Sequence, residues 1–342
     1  MNKILVTKLT SMGDVLHLMP ALNDLQQHHP DIKVDWMVEE SFAEIPQWHS
    51  MVDKVIVAKT RQWRKFNWQN TKSVYKFIKG LRNTKYDVVI DAQGLIKSAV
   101  LSRFARLNKG GKRVGFSGDS IKESPAAYFY KQKVVVERDQ HAIERLRDLF
   151  AMSFSYERPT TEPRFELLFN SSGRTEYESN MVLFFHGTTW DSKHLPDHYW
   201  KTLVQLAVDD GYKVGLCWGT EKEKSRAEWI AQGNANTVVL PKMTLTQLAQ
   251  QINSVAGVIA VDTGLGHLSA ALGVPAVSIY GSTDAKLTGS VGENQIHLQT
   301  QYPCSPCLLK VCNKLTEQVL EPPCYQSLPP SEAWQALYES IA

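Results

Sequence analysis

Long apolar runs are missing from this sequence, and cysteines are few. No window approaches the ~18 consecutive apolar residues that cross a bilayer, so we expect no transmembrane helix. The apolar run after Lys3 is too short for the core of a signal peptide, which predicts a cytoplasmic protein. In the reducing cytoplasm, the five cysteines are expected to be thiols or metal ligands and not disulfides.

Two phosphate-binding motifs are also absent. No Gly-x-x-x-x-Gly-Lys segment occurs, which excludes an ordinary P-loop. No Asp-x-Asp pair occurs either, although such acidic pairs hold the divalent ion on a sugar nucleotide in many transferases. We therefore predict no catalytic metal and no cofactor. A bound diphosphate would have to be neutralised by backbone dipoles and a lysine.

The composition is that of a globular protein with about two domains. The chain has 342 residues, and its 43% hydrophobic and 21% charged residues exclude disordered and fibrous classes. Residues 1–152 carry nine more Lys and Arg than Asp and Glu, whereas residues 153–342 carry six fewer. Either the first part binds something anionic, such as phosphate, nucleic acid or a lipid surface, or the imbalance is confined to solvated surfaces.

Short apolar runs alternate with helical periodicity along the chain, which is typical of parallel α/β sheets. Between residues 153 and 180 this alternation stops, and we predict an inter-domain region there. The sequence therefore predicts an α/β protein with two doubly wound Rossmann-like domains, residues 1–165 and 166–342. Ligands in such open sheets bind beyond the carboxyl ends of the strands, so segments that follow strands are the candidates for a site.

The predicted elements can be placed individually. Those of the first domain are the strands Lys3–Lys8, Val34–Val38 and Tyr86–Asp91 and the helices Val15–Leu25, Gly94–Leu107 and His141–Phe150. Those of the second domain are the strands Met181–Phe185, Val214–Trp218, Val238–Leu240, Val258–Val261 and Ala276–Tyr280 and the helices Asp197–Val208, Glu221–Ala231, Leu245–Val255, Gly264–Leu272 and Ser331–Ile341.

The segment Val261–His267 follows a predicted strand and opens a predicted helix. Its small residues allow backbone N–H groups to approach a ligand, and a helix N-terminus favours an anion. Asp262, Thr263, Gly264 and His267 are therefore candidates for a phosphate site. The alternative is a tight turn in which Asp262 or Thr263 simply caps the helix.

A second polar loop, His186–Lys193, also follows a strand. Thr188, Thr189 and Lys193 supply two hydroxyl groups and an ammonium group that suit a diphosphate, although an ordinary polar loop can have the same composition. Glu223 follows a third strand. It either accepts hydrogen bonds from ribose hydroxyls or is a first-turn residue stabilised by the helix dipole.

Two features of the first domain suggest chemistry. Asp14 lies in the turn after the first strand, where a carboxylate can act as a general base or simply cap the helix. The stretch Arg61–Trp68 interleaves cations with aromatic rings. Arg61, Arg64 and Lys65 therefore suit an anionic sugar, a phosphate or a membrane interface, with nucleic acid or a solvated loop as alternatives.

Four of the five cysteines lie in a Pro-rich tail, at Cys304, Cys307, Cys312 and Cys324. A Cys-x-x-Cys pair followed by two further thiols can hold zinc, but this spacing is irregular for a zinc finger. Unliganded thiols are therefore the default interpretation, and a zinc site is the alternative.

Taken together, several of these segments resemble the heptosyltransferases of lipopolysaccharide inner-core assembly. The matching segments run from residue 4 to about residue 284 and include Ser11–His17, Val38–Glu40, Ile45–His49, Asp91–Leu95, Gln140–Arg145 and Asp262–Leu268. There are two departures. Gln62 stands where the best-known members carry another Arg, and the Cys304–Cys324 tail is similar to tails of members that act later.

This resemblance implies a GT-B fold, in which two Rossmann-like domains face each other across a cleft, and inverting, metal-independent chemistry. The donor would be ADP-L-glycero-β-D-manno-heptose. The acceptor would be the first Kdo (3-deoxy-D-manno-octulosonic acid) of Kdo-lipid A, with peripheral contact to the cytoplasmic face of the inner membrane. By matching position, Asp14 looks like the catalytic base. The implied donor-site residues are Thr188, Thr189, Lys193, Glu223, Met243, Asp262, Thr263, Gly264 and His267, and the implied acceptor-site residues are Arg61, Arg64 and Lys65.

Three alternatives stay open at this point. The departures at Gln62 and in the tail allow a later-acting heptosyltransferase of the same family. Gly264–Ser269 approximates Gly-x-Gly-x-x-Gly with Asp284 farther along, as in an NAD-type oxidoreductase, but Ser269 replaces the third glycine. The basic first half would suit a nucleic-acid-binding protein. Because no motif of that class is present, we expect no nucleic-acid partner.

Overall fold

A computed structural model describes residues 2–65, 67–168 and 180–342. The chain divides into two compact units, Met1–Leu168 and Phe169–Ala342. Each unit contains one six-stranded sheet in which paired strands are parallel. Across the described ranges, no helix has both the length and the apolar character needed to cross a bilayer. Part of the predicted inter-domain region, residues 169–179, lies outside the described residues.

The first unit is built around a buried central strand. Its strands are β1 (Lys3–Thr7), β2 (Lys33–Glu39), β3 (Val52–Ala58), β4 (Lys85–Asp91), β5 (Arg106–Phe116) and β6 (Gln132–Val134). Its helices are α1 (Met12–Leu16), α2 (Met19–His28), α3 (Thr60–Trp63), α4 (Trp68–Leu81), α5 (Ile96–Arg103) and α6 (Ala142–Phe154). β1 is an almost continuous apolar run because a central parallel strand is buried on both faces.

The second unit repeats this plan. Its strands are β7 (Met181–Phe185), β8 (Lys213–Leu216), β9 (Thr237–Val239), β10 (Gly257–Val261), β11 (Ala276–Tyr280) and β12 (Gln295–Gln299). Its helices are α7 (Asp197–Asp209), α8 (Glu221–Ala231), α9 (Leu245–Asn253), α10 (Gly264–Ala271), α11 (Ala285–Thr288) and α12 (Pro330–Ile341). The predicted strands and helices of this half all occur, with ends that differ by one or two residues.

Both sheets have the strand order of the dinucleotide-binding fold. The orders are β3-β2-β1-β4-β5-β6 and β12-β11-β10-β7-β8-β9. In each unit the first strand lies at the centre of the sheet. The next two strands are added on one side of it, and the last three are added on the other side. The order therefore reverses between β1 and β4 and between β7 and β10. Ligands of open α/β sheets bind beyond the carboxyl ends of strands at such a reversal.

Each sheet has its own apolar core. In the first unit, Leu5, Met37 and Val89 of adjacent strands belong to one buried cluster. In the second, Phe184 packs on Trp200, with the ring centres 5.9 Å apart. Full burial of a side chain of this size stabilises a fold by about 1.5–3 kcal/mol. The two cores therefore fix the positions of the strand ends from which the loops begin.

The predicted helix Val15–Leu25 is wrong, because the structure has two helices there. α1 ends at Leu16, and α2 begins at Met19 with Pro20 in its first turn. Proline lacks an N–H donor, and its ring clashes with the carbonyl four residues earlier. A single helix therefore cannot continue through this position.

The predicted helix Gly94–Leu107 is confirmed up to Arg103 and wrong beyond it. α5 ends at Arg103, and the chain enters β5 at Arg106, which pairs with Lys85 of β4. The polar, Gly-containing run after Leu107 lacks the apolar pattern of a strand. The strand continues because, after a shift in register, residues 112–115 pair with β4 and residues 114–116 pair with β6.

Candidate active site

Asp14 lies in α1, just beyond the carboxyl end of β1. It is the third residue of the helix, and with the N-cap residue Ser11 it completes a capping box. The Ser11 backbone N–H and hydroxyl group both donate to Asp14 Oδ2, at 2.8 and 3.0 Å. The Lys8 ammonium lies 3.4 Å from Oδ1, and the Asp14 side chain is 41% exposed. The carboxylate is thus held in place and yet open to a ligand.

The surroundings of Asp14 favour its ionised form. Desolvation opposes ionisation, but the charge of Lys8 and the hydrogen bonds from Ser11 outweigh it and hold the pKa of Asp14 below its ordinary value. An ionised carboxylate can accept a proton from a substrate. Because it is a weak base, it does so only when the substrate hydroxyl has become acidic in the transition state.

Replacing Lys8 with Met is expected to move the acid limb of the pH–rate profile to higher pH. Lys8 is only 6% exposed, and its charge helps to depress the pKa of Asp14. With that pKa depressed, Asp14 stays ionised as pH falls, and it protonates earlier once the ammonium is gone. A kcat/KM profile from about pH 4 to about pH 8 measures the shift, with exposed Lys33→Met as the control. An unmoved acid limb would show that Asp14 does not control it.

Two neighbours of Asp14 or of the backbone that precedes α1 were not predicted from the sequence. Gln93 Oε1 accepts hydrogen bonds from the N–H groups of Leu9 and Thr10, at 2.9 and 3.0 Å, and so fixes the backbone before α1. Lys8 is the second neighbour. Gln93 and Lys8 both follow strands that flank the reversal of strand order, and that topology is the signal that could have identified them.

The predicted basic residues form an exposed cluster. Arg61 lies in α3, and Arg64 and Lys65 follow it, so the predicted loop is partly helical. Lys97 of α5 adjoins them and donates to the Thr60 hydroxyl at 3.2 Å. Partial burial, together with the nearby charges of Arg64 and Arg61, lowers the pKa of Lys97. The structure thus adds a fourth cation that the sequence did not indicate.

In the second unit, Lys193 and Asp262 form an ion pair beyond β7 and β10. Lys193 Nζ lies 2.6 Å from Asp262 Oδ2, and both side chains are largely buried. The Thr283 hydroxyl also donates to Oδ2, at 2.5 Å, and the Thr188 hydroxyl donates to the Asp262 carbonyl oxygen, at 2.9 Å. His267 Nε2 lies 4.0 Å from Asp262 Oδ1. Four predicted donor-site residues are therefore neighbours.

Helix α10 begins beside this ion pair. Thr263 is its N-cap residue, but the Thr263 side chain makes no capping hydrogen bond. The Asp262 carboxylate is engaged by Lys193 and Thr283. Thr263 thus occupies the cap position of the alternative interpretation, but without a side-chain capping bond, and the Asp262 carboxylate has other partners. The first N–H groups of α10, starting at Gly264, can serve an anion together with the helix dipole.

Thr188, Thr189 and Glu223 line one cavity of 760 Å³. Glu223 Oε2 accepts the N–H groups of Gly219 and Thr220, both at 2.9 Å, so this side chain does cap α8. Burial raises the pKa of Glu223, but these hydrogen bonds outweigh that effect and the net shift is downward. Its other oxygen, Oε1, lies beside Gly187, where a Cβ atom would come within 2.6 Å of it.

Not every predicted residue joins this group. Met243 precedes α9 and is not among the residues that line the cavity. Conversely, Arg226 lines it but was not predicted. The Arg226 guanidinium donates to the carbonyl oxygens of His186 and Leu195 and pairs with Asp197, which ties together the segment after β7. Arg226 stands one helical turn after Glu223 on α8, and this spacing could have indicated that the two side chains lie on the same side of the helix.

Comparison with known proteins points to one family. The model for glycosyltransferase family 9 (heptosyltransferase) matches residues 74–316. The chain is 41% identical over 314 residues to lipopolysaccharide heptosyltransferase 1 of Pseudomonas aeruginosa, which covers 91% of this chain and 87% of that protein. It is 43% identical over 298 residues to the protein of that name from Escherichia coli K12, covering 86% and 92% of the two chains.

Among solved structures, the chain is similar to E. coli heptosyltransferase WaaC with ADP. The TM-score is 0.86 at 37% identity, and the alignment covers 99% of both chains. This similarity confirms the predicted GT-B fold class, to which the two parallel six-stranded sheets also correspond.

Proposed function

Because the chain belongs to glycosyltransferase family 9, the heptosyltransferases, we propose that it transfers L-glycero-D-manno-heptose from ADP-heptose to the Kdo of Kdo-lipid A. One observation carries the donor assignment: Lys193 pairs with Asp262, which immediately precedes the N-cap residue of α10, at the reversal of strand order between β7 and β10. An ammonium group and a helix N-terminus at such a position suit a diphosphate. The similar E. coli enzyme was solved with ADP.

In the proposed donor site, the diphosphate and the ribose of the nucleotide sugar are bound by different residues. Lys193, Thr263 and the N–H groups from Gly264 onward bind the diphosphate, while Asp262 and His267 position the lysine. Thr188, Thr189 and Glu223 line the adjoining cavity, where Glu223 Oε1 accepts hydrogen bonds from ribose hydroxyls. No divalent ion is required, since the lysine and the helix dipole offset the leaving-group charge.

The proposed reaction inverts the configuration of the anomeric carbon. Asp14 takes the proton of the Kdo hydroxyl as its oxygen bonds to that carbon, and the bond to ADP breaks on the opposite side. The transition state resembles the oxocarbenium ion of glycoside hydrolysis. The low pKa of Asp14 keeps its carboxylate ionised and ready to receive the proton. The products are the heptosyl-Kdo linkage, ADP and a proton on Asp14.

The acceptor is anionic, and the basic cluster of Arg61, Arg64, Lys65 and Lys97 suits it. Kdo carries a carboxylate and lipid A carries phosphates, for which guanidinium groups are favoured partners. Gln62, which takes the place of a further Arg, donates instead to Glu40 at 2.9 Å. The acceptor site therefore has one cation fewer than the family pattern implies.

Reversing the charges of Arg61 and Arg64 to Glu is expected to damage acceptor use and to leave ADP binding nearly intact. Each lost charged hydrogen bond should cost roughly 1.5–3 kcal/mol of acceptor binding. The measurements are KM for Kdo-lipid A and calorimetric affinity for ADP, with exposed Lys109→Glu of the same unit as the control. Equal losses for acceptor and ADP would contradict the assignment of these residues.

A lipid-linked acceptor implies peripheral contact with the cytoplasmic face of the inner membrane. One face of α4 supports this, because Lys72, Lys76 and Lys79 are exposed there beside Trp68 and Tyr75, which are 82% and 67% exposed. Cations with interfacial aromatic rings bind anionic lipid surfaces. Sedimentation with vesicles tests the contact, and equal binding to anionic and zwitterionic vesicles would contradict it.

The decisive test is a transfer assay in buffer that contains EDTA. Purified protein with ADP-heptose and Kdo-lipid A should yield a product heavier by one heptose in mass spectrometry, whose anomeric configuration is opposite to the donor's. Kdo-lipid A that already carries its first heptose should not react, which separates this function from that of a later-acting enzyme. Activity that needs magnesium or manganese would overturn the metal-independent mechanism.

A further inference from the structure

Four thiols line part of one small void beside the segment that joins β12 to α12. Cys304, Cys307, Cys312 and Cys324 all line this void of 10 Å³ and are all partly buried. Residues 300–322 are fully described and contain neither helix nor strand. A stretch of this length without regular structure has few backbone hydrogen bonds to hold it. The four thiols share this void even though they are spread over 21 positions of chain.

The thiols are close enough to influence one another electrostatically. Burial raises the pKa of Cys324 to about 11; the nearby Cys312, Cys304 and Cys307 contribute to this rise, and a hydrogen bond with Thr300 opposes it. A divalent cation in the void would reverse this effect, because it stabilises the thiolate form of every cysteine around it. The fifth cysteine, Cys217, has no such neighbours in its environment: burial alone raises its pKa to about 12.

We propose that Cys304, Cys307, Cys312 and Cys324 bind one zinc ion as thiolates. Four sulfur ligands, two of them in a Cys-x-x-Cys pair, are the donor set of structural zinc sites. Binding converts four thiols and Zn²⁺ into a tetrathiolate complex and releases four protons. Lys310 and Lys314 lie in the same segment and would offset part of the complex's double negative charge.

Ligation requires the four side chains to turn inward. In the described part of the chain, no three His, Cys, Asp or Glu side chains are already grouped so that they could hold a metal ion. One rotatable bond carries each cysteine sulfur, so rotation about it moves the sulfur toward or away from the void. The ion is structural, and it takes no part in the transfer chemistry.

The segment that this ion would fix also supports the loop of Lys193. Ser192 is 2% exposed; its N–H donates to the Lys310 carbonyl oxygen at 3.2 Å, and its hydroxyl donates to that of Leu309 at 2.5 Å. The Tyr325 hydroxyl donates to the Ser192 carbonyl oxygen at 3.2 Å. Zinc would therefore position Lys193 through Ser192. That Lys193 then meets the donor diphosphate rests on the proposed function.

The first test is the metal content of the full-length protein, purified without chelators and measured by plasma mass spectrometry. About one zinc per chain is expected. Cys304→Ser and Cys307→Ser should retain only traces, whereas Cys217→Ala, outside the cluster, should keep its zinc. These two cysteines are chosen because Cys312 also lines the donor cavity. An ion other than zinc, or none even after incubation with zinc and dialysis, would overturn the proposal.

A second measurement does not depend on the folding of any variant. Metal-free wild-type protein titrated with Co²⁺ should develop thiolate-to-cobalt charge-transfer absorption with the intense visible bands of a tetrahedral site, complete at one equivalent. Zinc should then displace the cobalt and bleach the spectrum. The absence of these bands in protein that remains folded by circular dichroism would overturn the site.

The effect on the donor loop is measured separately from metal binding. ADP affinity by calorimetry should be on the order of tenfold weaker in metal-free protein than in zinc-loaded protein, as expected when one charged hydrogen bond is lost. Equal ADP affinities would remove the link to Lys193 and leave the zinc site standing. Failure of heptose transfer with the predicted cobalt spectrum would count against the proposed function alone.

Discussion

Replacing Asp14 with Asn is expected to lower the rate of heptose transfer by about 10²–10⁴-fold, because general-base catalysis is typically worth that factor. Asparagine keeps the size of the side chain, and its carbonyl oxygen can still accept hydrogen bonds from Ser11. It cannot accept the proton of the acceptor hydroxyl. Turnover with saturating ADP-heptose and Kdo-lipid A is the measurement, and ADP affinity should hardly change.

Asp14→Ala is the matched control for the structural role of this residue. Alanine loses the hydrogen bonds that hold the start of α1, so its melting temperature should fall, whereas that of Asp14→Asn should stay close to wild type. A purely structural Asp14 would give the opposite pattern for turnover, with Asn nearly as active as wild type and Ala impaired. An active, normally folded Asp14→Asn enzyme would refute the assignment of the base.

Replacing Lys193 with Ala should raise KM for ADP-heptose by roughly 10–100-fold, since a charged hydrogen bond is worth about 1.5–3 kcal/mol. KM for Kdo-lipid A should not change. The exposed Lys310→Ala is a suitable control, because both ammonium groups lie over the Trp190 ring, at 4.6 and 5.9 Å from its centre, and Lys193 is the one that pairs with Asp262.

Removing Lys193 also leaves the buried Asp262 without its ion-pair partner, which could lower stability and donor affinity together. Lys193→Arg separates the two effects, because it keeps the charge for Asp262 but changes the geometry offered to the diphosphate. If Lys193→Ala melts at a lower temperature but binds ADP like wild type, Lys193 is a structural partner of Asp262 and not a donor contact.

Apolar pattern predicted the strands that lie inside the sheets. β1, β4, β7 and β10 are short apolar runs because they are covered on both faces, and all four were identified. β3, β5, β6 and β12 were missed. They lie toward the edges, where half or more of the side chains are partly or fully exposed and the sequence resembles a loop. The helix α4 was missed for the same reason, since only Leu81 in it is buried.

The family prediction is confirmed, and the site residues stay predictions supported by geometry. The ends of apolar strands can be identified from a sequence. Asp14, Thr188 and Asp262 follow such ends, and they could therefore be predicted as site residues. A distant partner could not: Gln93 reaches the backbone before α1 only through the pairing of β1 with β4. For the same reason, the sequence could not reveal that Lys193 pairs with Asp262 across 69 positions of chain.

The strand order of each sheet also determines when, during synthesis, that sheet can form. Leu5 of β1 pairs with Val89, and Val182 of β7 pairs with Gly257. The first strand of each unit therefore cannot complete its pairing until a strand much later in the chain has been synthesised. A nascent chain that ends before Lys85 leaves one edge of an apolar strand without hydrogen bonds, and such edges recruit other chains. Parallel, non-local pairing also folds slowly. Before β4 emerges from the ribosome, the chain should therefore depend on chaperones, and fragments that stop there should aggregate.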